Sequence, residues 1–215
     1  MKHGVYVREQ KTSVSTPVVA ESGVPFVVGT APVHSAESPA ALFTPVLCTD
    51  WEDAVKKLGY SDDWKTYTIC EVMYSHFKLF QRQPIIFCNV LDPSTNKEAV
   101  AGAEVTLSGK QAKLPFDAIL SSLVVKTASS SESPLVKDTD YAAYYSDGNL
   151  IVETIEDGAA KAATKLYISY DKIKTADIDD DDIVKGIEAI DLCMATVSTT
   201  PDLLSLIHIS EPTRR

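Results

Sequence analysis

The chain has 215 residues, 45% of them hydrophobic, and a formal net charge of −10. That length and composition suit one large or two small globular units with a substantial core. The acidic balance excludes a general phosphate-backbone binder, which needs clustered Lys and Arg. No run of about 18 apolar residues suggests a membrane span, and the apolar core of a signal peptide is missing.

In chain order, the first element is a short alternating strand, Gly4-Val5-Tyr6-Val7-Arg8-Glu9-Gln10. The polar stretch 11–17 separates it from the next apolar run, so residues 1–20 read as an extended arm. A lone strand on a tether cannot satisfy its own backbone N–H and C=O groups, and it must pair with a sheet. Two partners stay open: the sheet of its own domain, or a neighbour's sheet by strand addition. The residues expected to make that link are Val5, Tyr6, Val7 and Arg8.

Residues 21–95 read as α/β. Val24–Thr30 is a dry strand, followed by a Pro/Ala/Ser-rich connection around Pro32, Ser38 and Pro39. Thr49 or Asp50 can cap a helix over Trp51–Leu58 that stops at Gly59. Over Thr66–Gln81 the apolar residues Ile69, Val72, Met73, Phe77 and Phe80 recur at helical spacing. A second dry strand spans Pro84–Leu91. Strand, helix and strand this apolar predict a parallel sheet covered by helices. Trp51 and Trp64 are placed as core anchors of the helices.

The texture changes at Asp92-Pro93-Ser94-Thr95-Asn96. Short strands at Ala103–Leu107, Ser122–Thr127, Tyr141–Tyr145, Leu150–Thr154 and Leu166–Tyr170 are split by turn residues, with Asp147-Gly148-Asn149 as a hairpin signal. The spacing predicts an antiparallel β-sandwich or barrel over 96–172, inserted into the α/β domain. That domain resumes over 173–203. Its acidic stretch, Asp177 to Asp182, precedes a helix from Ile183 to Cys193, and Val197–Leu204 heads toward another strand or loop.

Residues 204–215 read differently. Leu204–Arg214 matches, codon for codon, the translation of a common transposase-type sequencing adaptor. The expectation is a reading frame that runs off a short read, so this segment is set aside from fold reasoning. The alternative is a genuine strand at Leu203–Ile209. Under the adaptor reading His208 has no claim to chemistry.

Reactive chemistry finds little support. His3, His34, His76 and His208 are scattered, and none has a Cys or His at ligand spacing. Cys48, Cys70, Cys88 and Cys193 form no CxxC pair and are expected as free thiols, the last three among apolar residues. No phosphate-cradling glycine motif or GxSxG is present. The acidic stretch lacks the Gly and distal Glu of an EF-hand loop and reads as a solvated helix start. Glu71 and Asp191 are not placed together by anything in the sequence. No cofactor, metal or catalytic residue is expected. A carbohydrate- or surface-binding module resting on Tyr141, Tyr144 and Tyr145, and an α/β hydrolase, stand as alternatives.

The order of the pieces resembles the tail sheath protein of contractile bacteriophages. The residues that carry it are 3–9, 24–32, 120–126, Lys137–Tyr141, Tyr145–Leu150 and Gly186–Leu192, over about residues 1–203. The resemblance implies a structural subunit and not an enzyme. Such subunits form homo-oligomers of stacked hexameric rings around a tail tube protein, in the virion tail, with no nucleic acid and no membrane insertion. It also implies that terminal arms join neighbours by strand addition to a carboxy-terminal domain beyond this amino-terminal portion.

Overall fold

The computed structural model describes residues 23–129 and 133–206. Strands β1 (Pro25–Gly29) and β2 (Pro45–Cys48) precede helices α1 (Trp51–Leu58) and α2 (Thr68–Met73). The last turn of α2 widens into a π-helical segment at Tyr74–Leu79, and β3 (Ile85–Asn89) comes after it. Six strands come next: β4 (Lys97–Thr106), β5 (Gln111–Pro115), β6 (Val124–Lys126), β7 (Tyr141–Ser146), β8 (Asn149–Thr154) and β9 (Lys165–Ile173). Helices α3 (Asp180–Glu188) and α4 (Cys193–Val197) then lead to β10 (Leu203–Leu206).

One four-stranded sheet has the order β10-β1-β3-β2. Strand β1 runs parallel to both of its neighbours, whereas β2 pairs antiparallel with β3. The sheet is therefore mixed, where sequence reasoning expected a parallel one. The difference is β2, a four-residue strand inside the stretch read as a connection. It opens on Pro45, a residue tolerated at the start of an edge strand because it donates no ladder bond.

Both faces of this sheet are covered, which is why β1 and β3 read as unbroken apolar runs. Alternation sends Val27, Ile85 and Phe87 to one face, against Leu58, Ile69, Val72, Met73 and Phe77. Phe26, Val28, Ile86 and Cys88 face the other way, against Ile183, Ala189 and Cys193.

Local chemistry sets the helix ends. The Asp50 carboxylate accepts from the Asp53 N–H at 2.8 Å and caps α1. Gly59 ends that helix with φ of 74°, and a Cβ there would lie 2.4 Å from the Pro32 carbonyl oxygen. Only glycine satisfies both demands. The helix expected over Thr66–Gln81 begins at Thr68 and changes to π-helical hydrogen bonding after Met73. Trp51 stacks edge-on with Tyr60, as an anchor should. Trp64 does not match its expectation: it sits on an exposed turn with its ring against Tyr74.

Strands β4 to β9 form two three-stranded antiparallel sheets, β4-β9-β6 and β5-β8-β7. They share one core of Leu114, Val125, Tyr141, Leu150, Val152, Leu166 and Ile168. Two sheets over a common core is a sandwich arrangement. No closed barrel forms among the described residues, so the barrel alternative is set aside. Strand β5, absent from the sequence reading, pairs with β8 from Gln111 to Pro115. The chain passes into and out of this region along two adjacent segments, joined where the Lys174 N–H donates to the Asn96 carbonyl at 2.9 Å.

Candidate functional site

The arm residues Val5, Tyr6, Val7 and Arg8 lie outside the described residues, as does His208. What the structure does give is the set of edges against which a strand can pair. On one side of the mixed sheet, β2 is guarded. Lys57 of α1 donates its Nζ to the Leu47 carbonyl at 3.0 Å while pairing with Asp53 at 2.7 Å. A lysine at the edge satisfies a carbonyl that would otherwise recruit another strand. On the other side, β10 exposes Leu203, Leu204 and Leu206. Its start is tied to β1 by the Asp202 N–H donating to the Val24 carbonyl at 3.0 Å. Leu204–Leu206 also belong to the stretch whose codons match the adaptor.

In the sandwich, β4 is the most exposed strand, and it carries the usual edge devices. Its register shifts between Val100 and Ala103, where the Gly102 N–H donates to Ser169 Oγ at 2.9 Å. Lys97 pairs with Asp171 at 2.7 Å, and Lys165 with Glu104 at 3.1 Å. The Tyr167 hydroxyl and Lys165 together hold the Glu104 carboxyl below the usual range.

A seam of rings joins the mixed sheet to the sandwich. His34, in the short 3₁₀ turn Val33–Ser35, has its ring 5.4 Å from that of Phe116, 5.8 Å from Tyr145 and 5.9 Å from Tyr67. The Tyr67 hydroxyl donates to Asp117 at 2.9 Å across this seam, and the Tyr145 hydroxyl donates to the Ala118 carbonyl at 2.7 Å. Burial pushes the Tyr67 phenol up, with Asp117 adding to the shift, and pushes the Tyr145 phenol up to about 12. A cavity of about 620 Å³ lies beside the seam, lined by His34, Asn89, Leu91, Asp92, Leu120 and Tyr145 among others. Sequence reasoning missed this cluster; its members stand far apart in the chain, and only the approach of the two sheets gathers them.

All four cysteines are free and buried, and burial pushes the thiols of Cys48, Cys70 and Cys88 up to about 12. Such thiols are poor nucleophiles and poor metal ligands. No group of three or more His, Cys, Asp or Glu suited to a metal occurs among the described residues. In the acidic stretch, the Asp179 carboxylate accepts from the Asp182 N–H at 3.0 Å and caps α3, the role expected of a solvated helix start. His76 Nδ1 is 3.4 Å from Ser75 Oγ, but that hydroxyl donates to the Val72 carbonyl at 3.1 Å. Glu71 and Asp191 are both exposed, one on α2 and the other in the 3₁₀ turn Ala189–Leu192. Of the three tyrosines on β7, Tyr141 is buried and Tyr145 is committed to the seam; Tyr144 is exposed and donates to Glu153 at 2.8 Å. They do not form an exposed aromatic platform of the kind a surface-binding module uses. No helix among the described residues is long and apolar enough to cross a membrane.

No family model matches the chain. Over 182 residues it is 29% identical to the tail sheath protein of Burkholderia phage BcepMu, a match that covers 82% of this chain and 36% of the relative. A solved structure, the sheath tail protein Lin1278 from Listeria innocua, aligns with a TM-score of 0.38 at 12% identity, covering 90% of this chain and 42% of that one. The chain therefore spans about a third of the length of the curated relative it matches. The resemblance carried by the sequence pieces is to phage tail sheath proteins, and a curated relative of that description matches most of the chain.

Proposed function

We propose that this chain is the amino-terminal part of a structural subunit of a contractile phage tail sheath. The observation that carries the reading is the match across 82% of the chain to a phage tail sheath protein. On this reading residues 1–20 form a linking arm, and 21–95 with 173–203 form the α/β body. Residues 96–172 are an insert, and 204–215 are adaptor-derived. The subunit polymerises as stacked hexameric rings around a tail tube protein in the virion tail, and the sheath contracts to drive the tube through the host envelope.

The physics of an arm suits that work. Contraction requires subunits to reorient strongly without separating. A strand at the tip of a polar tether holds its partner through main-chain hydrogen bonds while the tether absorbs the rotation. The receiving edge is proposed to lie in the part of the subunit that these 215 residues do not include.

The test is assembly of the natural full-length subunit. Purified and concentrated, it should form rings or tubes by negative-stain electron microscopy. The double variant Val5→Pro with Val7→Pro removes two strand donors. It should abolish the tubes and leave the melting curve of the free subunit unchanged. A full-length subunit that forms no rings or tubes at any concentration overturns the sheath reading. Normal tubes from the proline variant overturn the arm's role.

A further inference from the structure

We propose that His34 is a pH-sensitive latch on the seam between the mixed sheet and the sandwich: neutral, its ring closes the seam onto Phe116, and protonated, it releases that corner. The latch stands whether or not the chain is a sheath subunit.

The geometry defines one protonation state. His34 Nε2 lies 3.1 Å from the Phe116 carbonyl oxygen, an atom that only accepts, so Nε2 carries the proton and donates it. Nδ1 is buried and has no hydrogen-bond partner. A neutral ring leaves there a single unsatisfied lone pair, a moderate cost. A protonated ring would leave a buried N–H and a charge without an acceptor, a much larger one.

In the closed seam no group facing the ring is hydrogen-bonded to Nδ1. On the α2 side, the Tyr67 hydroxyl is spent on Asp117. In the loop after β5, Asp117 is the nearby carboxylate; its Oδ1 accepts from Tyr67, and neither of its oxygens is bonded to Nδ1. On β7, the Tyr145 hydroxyl donates to Ala118 and accepts from the Leu120 N–H at 3.1 Å, while the Tyr144 hydroxyl donates to Glu153. Asp92, also on the cavity wall, accepts through Oδ1 from the Ser94 N–H and hydroxyl. Burial lowers the His34 pKa from 6.5, against smaller opposing contributions from the Phe116 carbonyl and Asp117.

That depression sets the direction of the pH response. An opened seam, with the ring in water, binds a proton at about pH 6.5. The closed seam binds one only at lower pH. Closure is therefore fully favoured above about 6.5, and the preference falls as pH drops from there toward the closed-state value. The cavity of about 620 Å³ gives the charged ring somewhere to turn.

Hydrogen–deuterium exchange on the 215-residue chain tests this at pH 7.5 and 5.5, with labelling times scaled for the intrinsic pH dependence of exchange. In the unmodified chain, the segment 116–123 should exchange several-fold faster at pH 5.5, up to about tenfold per pH unit below 6.5. The hairpin segment 149–154 should not change. His34→Gln, whose amide replaces the donor at Nε2 without titrating, should show no such difference. His34→Phe, which keeps a ring in place, should also be insensitive to pH. Equal protection of 116–123 at both pH values overturns the latch. So does loss of protection at 149–154 to the same extent, or a pH response in His34→Gln and His34→Phe equal to that of the unmodified chain.

Discussion

Gly186 of α3 lies directly on Val28 of β1: a Cβ built on the glycine would stand 2.6 Å from Val28 Cγ1 and 2.6 Å from Val90 Cγ1. The helix reaches the sheet this closely because one residue on its buried face has no side chain. Gly186 is therefore required by packing and not by a turn, even though glycine inside a helix costs about 1 kcal/mol relative to alanine.

Gly186→Ala should destabilise the fold. The gain in helix propensity is about 1 kcal/mol, and overpacking against two stiff β-branched side chains costs typically 1–3 kcal/mol. A net loss of up to about 2 kcal/mol is expected, read as a lower urea midpoint at unchanged slope. Adding Val28→Ala should recover part of the loss, and a double-mutant cycle would show coupling between the two sites.

Asp140 gives a pH prediction. Its carboxylate accepts from the Val136 N–H at 2.8 Å and the Ala159 N–H at 2.9 Å, and these bonds hold its carboxyl below the usual 3.8. The folded state thus binds this proton less readily than the unfolded chain. The associated stability is present above about pH 4 and is lost as pH falls through the depressed folded value. Asp140→Asn removes one of the two acceptors. Its melting temperature should lie below that of the unmodified chain at pH 7, and the gap should narrow on acidification toward pH 3.

The thiols should be silent in the native state. Cys48, Cys70, Cys88 and Cys193 are free and buried, and three of them are pushed up to about 12. Ellman's reagent at pH 7.5 should show no fast phase until denaturant is added, when all four react. Rapid labelling of any of them in the folded chain would contradict the packing.

Lys57→Met should uncover the edge at β2. Losing the bond to the Leu47 carbonyl is expected to cost about 0.5–1.5 kcal/mol. The freed edge should also raise concentration-dependent association in light scattering. A Lys57→Arg chain, able to reach the same carbonyl, should stay closer to the unmodified protein on both measures.

Much of the architecture was legible in the chain because it is written in short-range patterns. Asp50 and Gly59 bracket α1 as capping chemistry predicts, and Asp147-Gly148 turns β7 into β8. The dry runs that became β1 and β3 stand out because both faces of their sheet are covered. Other features had no local signature. Strand β2 is four residues long and begins with proline, so only its pairing with β3 reveals it as a strand. Trp64 carries the composition of a core residue, yet its turn faces solvent.

Residue order alone determined most of the elements, the order of pieces that resembles tail sheath proteins, and the absence of recognisable motifs for chemistry. Hydrophobic periodicity and capping act within a few residues, so they survive in a linear reading. Tertiary structure alone decided which way β2 runs, which edges are guarded, and that His34 meets Phe116 and Tyr145 from 82 and more positions away. Those outcomes depend on how two sheets approach each other, a balance of packing and desolvation over the whole molecule that no short window of sequence contains.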